Sequence, residues 1–475
     1  MMFSASLRQQ QTYALPTMAT SFIIGSLAIM QGMYAKHFGL SLTTLATVVF
    51  IANLFDVITD PLIGYYSDRY HARSGTRKPF VMLGGLLFII SSYFLYAPVD
   101  IGALETINER QSAPLKISPV YFLTWYLAFY FSWTLFEIPH LAWGGELATT
   151  SQAKTKIYGM RAFAAWVGIL LFYLVPFLPI FESKEFTPQT LYWAVLGIGF
   201  FMLPLLYICM KVTPNSIGTQ HAIPDTQKKS VDLIPLFKEM ATNKPLRLFL
   251  TSMVLFNISV SGMWLTLFFI FADTYLQLGE RFAEVSLIGL CVGIPMMGVW
   301  CWLANYWEKS FALSLGLLLS TVGIFGTGLL TPGETSYLPI TLVSILCFGM
   351  GGPAFNCLAP AILADIVDYG TLKYSQSRSA TYFSLYSLVS KIATAMGSAL
   401  GLSIAGFYGF DPTAMTQSSM SIFGMQFAIA WLPAAIMLMA ILFVSQHPIT
   451  NYRHNIICRR LKFRNASTKR PGYTR

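Results

Sequence analysis

Twelve long apolar stretches dominate this chain of 475 residues and decide its fold class. Each is close to the ~20 residues that a helix needs to cross hydrocarbon, and polar segments separate them. A membrane-spanning β-barrel would instead show alternating segments of ~10 residues, which the sequence lacks. We therefore predict an all-α membrane protein with twelve spans, near 13–35, 42–66, 79–97, 119–143, 158–181, 191–211, 246–272, 282–305, 310–330, 338–362, 380–407 and 421–445.

The distribution of basic residues predicts the orientation of these spans. With a cytoplasmic N-terminus, 24 of the 31 lysines and arginines fall in cytoplasmic segments, five fall outside and two lie within spans. Cytoplasmic loops carry such an excess, so both termini are expected in the cytoplasm, with the chain in a bacterial inner membrane. The basic tail is expected to meet anionic membrane lipid, and nucleic acid is not expected as a partner.

The longest polar interval in the middle of the chain separates six spans from six. This arrangement is typical of the major facilitator fold, in which two six-helix bundles enclose a substrate site near the middle of the membrane. We predict an N-terminal bundle at 1–210, a cytoplasmic loop at 211–245, a C-terminal bundle at 246–446 and a basic cytoplasmic tail at 447–475. The first apolar stretch is long enough to be retained as a span, and a monomer is expected.

The cysteines and the known short motifs indicate neither redox chemistry nor catalysis. The chain has no CxxC motif, so neither a disulfide nor a cysteine metal site is expected. It also has no nucleotide-binding motif and no soluble domain, which argues against an enzyme or a primary pump. No cofactor is expected. The six cysteines are Cys209, Cys291, Cys301, Cys347, Cys357 and Cys458.

Two aspartates, Asp56 and Asp60, lie four residues apart within the second span. A carboxylate in hydrocarbon costs about 2.5–3.5 kcal/mol on insertion scales, and this spacing places both on one helix face. They are the expected binding site of a coupling cation, to which Thr134 and Thr59 could add hydroxyl oxygens. Sodium suits such hard oxygen ligands, whereas a proton needs only a buried carboxylate, so both ions remain open. Alternatively, one aspartate forms a purely structural salt bridge with a buried base.

Three further ionisable residues are expected at membrane depth: Glu137, Arg161 and Lys391. Together with the two aspartates their formal charge is minus one, so one monovalent cation would neutralise the set. Charged groups in an aqueous cavity could bind several sugar hydroxyls, and the two bases could instead bind a carboxylate or a phosphate. His140 is either a proton relay or a structural histidine, and the structural alternative is the commoner one.

The loop after the second span resembles the signature of the major facilitator superfamily between its second and third helices. It contains Gly64, Asp68, Arg69, Gly75 and Arg77, in the order glycine, acid, base, glycine and base. Charges in this position can pair across the cytoplasmic surface and hold the bundles in one state.

Several motifs together resemble the glycoside-pentoside-hexuronide:cation symporter family. They are NLFDVITDPLIG at 53–64, TLFEIP at 134–139, Arg161 in the fifth span, ADIVDYG at 364–370 and VSK at 389–391. The resemblance thus covers both halves of the chain.

The resemblance implies roles for individual residues. The second-span aspartates and Thr134 would bind the coupling cation, Na⁺ or H⁺, and Glu137 and Arg161 would contact the substrate near Lys391. A cytoplasmic gate network that stabilises the outward-open state would include Asp68, Arg69, Arg77, Asp365, Asp368 and Arg378.

The chain departs from the family in its sugar-binding half. The family's galactoside carrier has a lysine–aspartate pair in the first span, where this chain has Ala19 and Thr20. Its tenth-span tryptophan is replaced by Asn356, and its fourth-span tryptophan is displaced to Trp143, two residues further on. We expect Thr20, Asn356 and Trp143 to contact a substrate that differs from a galactoside.

Three functions follow from these observations. The first is cation-coupled symport of a sugar, glycoside or uronate by alternating access. The second is cation-coupled transport of an amphipathic substrate such as a lysolipid, since the loss of the first-span charges makes the pocket more apolar. The third is a non-transporting sensor or scaffold, against which the five buried charges argue.

Overall fold

A computed structural model describes residues 6–98, 117–147, 151–215, 242–374, 379–414 and 416–468. Within these ranges the ordered elements are helices, and no strand occurs. This agrees with the all-α prediction, and its physical reason is that a helix satisfies its backbone hydrogen bonds inside one segment.

The described residues of the first half of the chain form seven α-helices. A short 3₁₀ turn at Val175–Phe177 follows the sixth of them. In chain order they are α1 (Leu7–Ile24), α2 (Leu27–Lys36), α3 (Leu42–Ser74), α4 (Lys78–Tyr96), α5 (Pro119–Glu146), α6 (Ser151–Leu174) and α7 (Pro188–Val212).

In the part of the second half that the structure describes, four segments form π-helix. These are Asn257–Trp264, Phe271–Tyr275, Ile345–Gly351 and Phe427–Trp431. The α-helices are α8 (Lys244–Phe256), α9 (Leu265–Ile270), α10 (Gly279–Tyr306), α11 (Lys309–Thr327), α12 (Tyr337–Ser344), α13 (Gly352–Tyr374), α14 (Ser379–Phe407), α15 (Ser419–Gln426), α16 (Leu432–Ser445) and α17 (Asn451–Thr468).

Among the described residues, eleven helical segments are long and apolar enough to cross a membrane. They correspond to every predicted span except the fourth. The fourth predicted span corresponds to α5, a helix of 28 residues. The α5 helix is rich in tyrosine and tryptophan and carries Glu137 and His140, so its mean hydropathy is lower than that of its neighbours.

The described residues divide into two compact units. Unit 1 comprises those within 1–228, 265–287 and 398–425, and unit 2 those within 229–264, 288–397 and 426–475. Unit 1 therefore contains segments from both halves of the sequence. The boundaries of the four segments expected from the sequence, namely two bundles, a loop and a tail, stay predictions.

Helix α3 carries the aspartate pair, and its ends explain its length of 33 residues. The Ser41 hydroxyl accepts a hydrogen bond from the Thr44 backbone N–H and caps the first turn. Gly75 ends the helix in the left-handed conformation, with φ of 71°, which a residue with a Cβ rarely adopts.

Glycine brings helices of unit 1 into backbone contact. A Cβ atom on Gly168 of α6 would overlap the carbonyl oxygen of Met18 in α1, and one on Gly84 of α4 would overlap the backbone of Phe136 in α5. Small residues serve this purpose in membranes, where helix association depends on close van der Waals packing.

The expectation of no disulfide is wrong for one pair of cysteines. Cys301 of α10 and Cys357 of α13 form a disulfide across a sequence separation of 56 residues, with their Cα atoms 6.7 Å apart. The spacing of the cysteines along the chain did not predict this disulfide, because packing of the two helices in unit 2 brings the thiols together.

We expect Gly168→Ala to destabilise the protein by about 1–3 kcal/mol, since the added methyl group must displace the α1 backbone. Gly159 provides a matched control on the same helix, because a Cβ there would meet nothing within 4 Å. Thermal unfolding of the purified variants in detergent would show a lower midpoint for Gly168→Ala only. Equal midpoints would contradict the role assigned to this contact.

Candidate functional site

The aspartate pair lies inside unit 1, and Asp56 is almost fully buried, with 2% of its surface exposed. Thr134 of α5 donates a hydrogen bond from its hydroxyl to Asp56 Oδ1 over 2.7 Å. Thr134 is itself 1% exposed. The structure therefore joins the second and fourth predicted spans at two of the four residues that the sequence singled out for cation binding.

Thr59 and Asp60 lie on the same helix as Asp56. The Thr59 side chain is buried, and its hydroxyl donates to the Asp56 backbone carbonyl over 3.3 Å. Its oxygen keeps lone pairs for a cation, because only its proton is used in this bond. Asp60 is half-buried. Tyr130 of α5, which the sequence did not single out, interacts electrostatically with Asp56.

Glu137 and Arg161 form an ion pair between α5 and α6 through Glu137 Oε1 and Arg161 Nη2. Their side chains are 24% and 16% exposed, respectively, so the pair is only partly covered. Arg161 Nε is buried and has no hydrogen-bond partner among the described residues. The guanidinium thus has a donor left over for another acceptor.

His140 holds α5 against α1. Its Nε2 lies 3.0 Å from the Tyr13 carbonyl oxygen, and the Tyr13 hydroxyl donates to the His140 carbonyl over 2.8 Å. The two rings stack with centroids 4.3 Å apart. The histidine is fully buried. These reciprocal contacts support the structural alternative for His140 over the proton relay.

Two predicted substrate residues of unit 1 make internal contacts. Thr20 is buried and donates to the Thr17 carbonyl one turn earlier, over 3.1 Å. Trp143 is fully buried, and its indole N–H donates to the Pro214 carbonyl over 2.9 Å. Lys78 lies over the same ring at 5.6 Å. Their roles in binding substrate stay predictions.

The remaining predicted substrate residues belong to unit 2. Lys391 is half-buried on α14, and Asn356 is exposed on α13. Next to Lys391, the Ser390 hydroxyl accepts a weak hydrogen bond from the Asn257 amide, over 3.4 Å. Asn257 begins a π-helical segment in the seventh predicted span. No role for it could be read from the sequence, because an asparagine in a span carries no motif.

The superfamily-like loop forms a charge network within unit 1, centred on Arg77. This arginine donates to Asp68 Oδ1 over 2.6 Å, to Glu146 Oε1 over 2.8 Å and to Ser67 Oγ over 2.9 Å. Burial lowers the pKa of Arg77, but the hydrogen bonds to Glu146 and Asp68 outweigh it and raise the pKa above its usual value. Arg69 is exposed.

The aspartates of the ADIVDYG motif form a second network within unit 2. Lys309 Nζ lies 2.7 Å from Asp365 Oδ2, and His454 of the tail helix α17 lies 2.9 Å from Asp368 Oδ2. His454 is also 3.4 Å from Asp365 Oδ1. Arg378, the last predicted gate residue, lies outside the described residues.

Sequence reasoning missed Glu146, Lys309 and His454 as partners in these networks. A charged or titratable residue that follows a span is common, so none of the three stood out. The signal that could have found Lys309 is the shortened repeat of the superfamily loop after the eighth predicted span, which ends in Glu308 and Lys309.

Relatives of known sequence cover nearly the whole chain. An uncharacterised symporter of Bacillus subtilis, YjmB, is 23% identical over 461 residues, which cover 94% of this chain and 94% of the relative. A glucuronide carrier protein homologue of Escherichia coli is 22% identical and covers 91% of this chain and 90% of its own length. The raffinose carrier protein of Pediococcus pentosaceus is 22% identical over 87% of this chain and 63% of its own.

Solved structures share the fold at low sequence identity. A D-xylose–proton symporter superimposes with a TM-score of 0.63 at 16% identity, covering 93% of this chain and 96% of its own. A bacterial homologue of the human lysosomal transporter Spinster superimposes with a TM-score of 0.65 at 13% identity. The match covers 92% of this chain and 95% of the homologue. These likenesses show that the chain shares the fold of these transporters.

The family model described as MFS/sugar transport protein matches residues 12–451. This range contains the aspartate pair, Thr134, the Glu137–Arg161 ion pair and Lys391. The chain is an integral membrane protein that belongs to the MFS/sugar transport protein family.

Proposed function

We propose that this protein is a cation-coupled symporter that carries a sugar, glycoside or uronate into the cell by alternating access. The observation that carries the proposal is the buried hydrogen bond from Thr134 to Asp56. It puts a hydroxyl oxygen beside a carboxylate that has 2% of its surface exposed. A single cation, Na⁺ or H⁺, would neutralise this charge and lower the barrier to a conformational change.

The Glu137–Arg161 pair supports the substrate assignment. An arginine with a spare buried donor beside a carboxylate offers both donors and acceptors, which is what binding several hydroxyl groups requires. A uronate would add a carboxylate for Arg161. The names of the relatives, among them a glucuronide carrier homologue, a raffinose carrier and a lactose permease, support the same class. Thr20, Trp143, Asn356 and Lys391 are proposed as further substrate contacts.

The wider arrangement is proposed from the same reasoning. Both termini would be cytoplasmic, the working unit would be a monomer in the bacterial inner membrane, and the six-span bundles would follow the boundaries expected from the sequence. The Arg77 network and the Asp365–Asp368 network would form parts of the cytoplasmic gate.

We expect Asp56→Asn and Asp60→Asn each to reduce gradient-driven accumulation of substrate by at least about tenfold, since the neutral amide no longer attracts a cation. The measurement is uptake of labelled glycosides and uronates into proteoliposomes under an imposed sodium or proton gradient. Comparison of the two gradients also identifies the coupling ion.

Asp411→Asn is the matched control for this experiment. Asp411 is exposed in a loop, where it accepts hydrogen bonds from Thr413, and its replacement should leave uptake unchanged. Accumulation that survives both Asp56→Asn and Asp60→Asn would exclude the proposed coupling site.

Thr134→Val should raise the cation concentration for half-maximal uptake by about tenfold, because it removes a hydrogen bond to a charged group and one hydroxyl ligand. Thr134→Ser keeps the hydroxyl and should restore the wild-type value. Cation titration of transport at saturating substrate measures both. If valine and serine behave alike, the hydroxyl has no part in cation binding.

Arg161→Lys and Arg161→Ala should both abolish measurable binding of a sugar or uronate, because lysine keeps the charge but loses the planar guanidinium. Substrate binding by calorimetry in detergent would test this, with thermal unfolding as the check on folding, since Glu137 loses its partner. Binding that is only weakened in Arg161→Ala would favour an amphipathic substrate held by its apolar chain.

A further inference from the structure

A second group of ionisable residues occurs in unit 1, apart from the aspartate pair. We call it the outer cluster and define it as Lys36, His37, Glu185 and Asp273. Lys36 ends α2, Glu185 precedes α7, and Asp273 lies in the π-helical segment between α9 and α10. With a cytoplasmic N-terminus, the end of the first span that carries Lys36 faces outward.

The contacts within the outer cluster centre on Lys36. Its Nζ lies 2.8 Å from Asp273 Oδ2 and 3.2 Å from Glu185 Oε1. The Asp273 side chain is 2% exposed, whereas the Lys36 and Glu185 side chains are 27% and 28% exposed. Among the described residues, Lys36 and Glu185 are the charged groups that act on Asp273.

The charges of the outer cluster do not balance. Among the described residues, two carboxylates face one ammonium group, so this part of the cluster carries one excess negative charge next to the buried Asp273 side chain. His37 does not supply a balancing positive charge. Burial and the Lys36 charge lower the pKa of His37 to about 4, although Glu185 acts in the opposite direction. An uncompensated buried charge is unfavourable enough that a carboxyl group takes up a proton instead.

The geometry provides a place for that proton. The carboxyl groups of Asp273 and Glu185 lie close together, because both contact Lys36 Nζ. Both also approach Gly279, where a Cβ would overlap Asp273 Oδ1 and lie 3.0 Å from Glu185 Oε1. Two ionised carboxylates have only acceptor atoms, so a hydrogen bond between them requires a proton.

The backbone around Asp273 holds this arrangement in place. The Leu276 N–H donates to the Phe271 carbonyl, and the Leu278 N–H donates to the Ala272 carbonyl, both over 3.0 Å. Between them Gln277 has a positive φ of 58°, which is unfavourable for a residue with a Cβ. The chain thus turns tightly so that Gly279 lies against the two carboxyl groups.

We propose that the outer cluster is a proton-binding site separate from the coupling site, and that closing the extracellular end of the protein places one proton between Asp273 and Glu185. Asp273 belongs to the second half of the sequence, and its partners belong to the first. Outward opening in this fold separates the extracellular ends of the two halves, so the carboxyl groups become hydrated and release the proton. The proposal holds whichever cation and substrate use the coupling site.

The direction of the pH effect follows from this linkage. The closed form binds one proton more than the open form, so low external pH favours closure and high pH favours opening. Above the titration midpoint the ratio of open to closed protein should rise about tenfold per pH unit.

The test measures the external accessibility of Leu278→Cys, a position next to Gly279 that is 2% exposed. The other cysteines, except Cys301 and Cys357, are replaced by serine. A membrane-impermeant maleimide is added outside proteoliposomes between pH 5 and pH 9. Because thiols react faster at high pH, each rate is divided by that of the exposed Thr413→Cys. The normalised rate should be low in acid and rise with pH.

Variants distinguish the proposed proton site from other causes of a pH-dependent labelling rate. Asp273→Asn and Glu185→Gln each leave one carboxylate for Lys36, so both should stay closed with a flat pH profile. Lys36→Met leaves two carboxylates without a base and should open at a lower pH. Glu182→Gln is the matched control, since Glu182 is exposed in the same loop and should keep the wild-type profile.

The proposal is overturned by a flat wild-type profile, or by a wild-type profile in both Asp273→Asn and Glu185→Gln. It is also overturned if His37→Gln removes the pH response, because the proton would then reside on the histidine. Loss of the response in Asp56→Asn would assign it to the coupling site. If either Asp273→Asn or Glu185→Gln fails to fold, the pH profile of the other variant decides the test.

Discussion

Hydrocarbon provides no hydrogen-bond partner for a peptide group, and the structure depends on this constraint. Each segment that crosses the membrane must satisfy its own backbone, so the chain is restricted to helices. Hydrophobic burial between these helices gains little, since lipid is as apolar as their side chains. Glycines therefore matter at the contacts, as at Gly168 against Met18 and Gly84 against Phe136. Close packing in unit 1 then places side chains of α5 beside those of α3 and of α6.

The apolar surroundings also make every buried charge costly unless another group compensates it. A carboxylate such as Asp56 persists in this environment only with compensation, and Thr134 supplies part of it by donating a hydrogen bond to Asp56 Oδ1. Glu137 has its compensation in Arg161. The two arrangements differ chemically, since an acid held by a hydroxyl can take up a cation, whereas an acid paired with an arginine can bind polar groups of a substrate.

Much of the fold and of the candidate site could be predicted from the sequence. Span positions follow from hydropathy because length and apolarity are local properties. Asp56, Asp60 and Glu137 stand out because charge is rare within spans. The partners of these residues were harder to predict. Nothing in the sequence linked Arg77 to Glu146, His454 to Asp368 or Cys301 to Cys357, because each pair is distant in sequence and common in type.

The sequence by itself determined the class of protein and the positions of the spans, and it located the charged residues within those spans, since each depends on composition within one segment. Tertiary structure alone decided which of these residues meet. It joined Thr134 to Asp56 across 78 residues and assembled Lys36, Glu185 and Asp273 from three distant segments. The physical reason is that hydropathy acts on each helix separately, whereas ion pairs and hydrogen bonds act over a few ångströms and depend on how the helices pack.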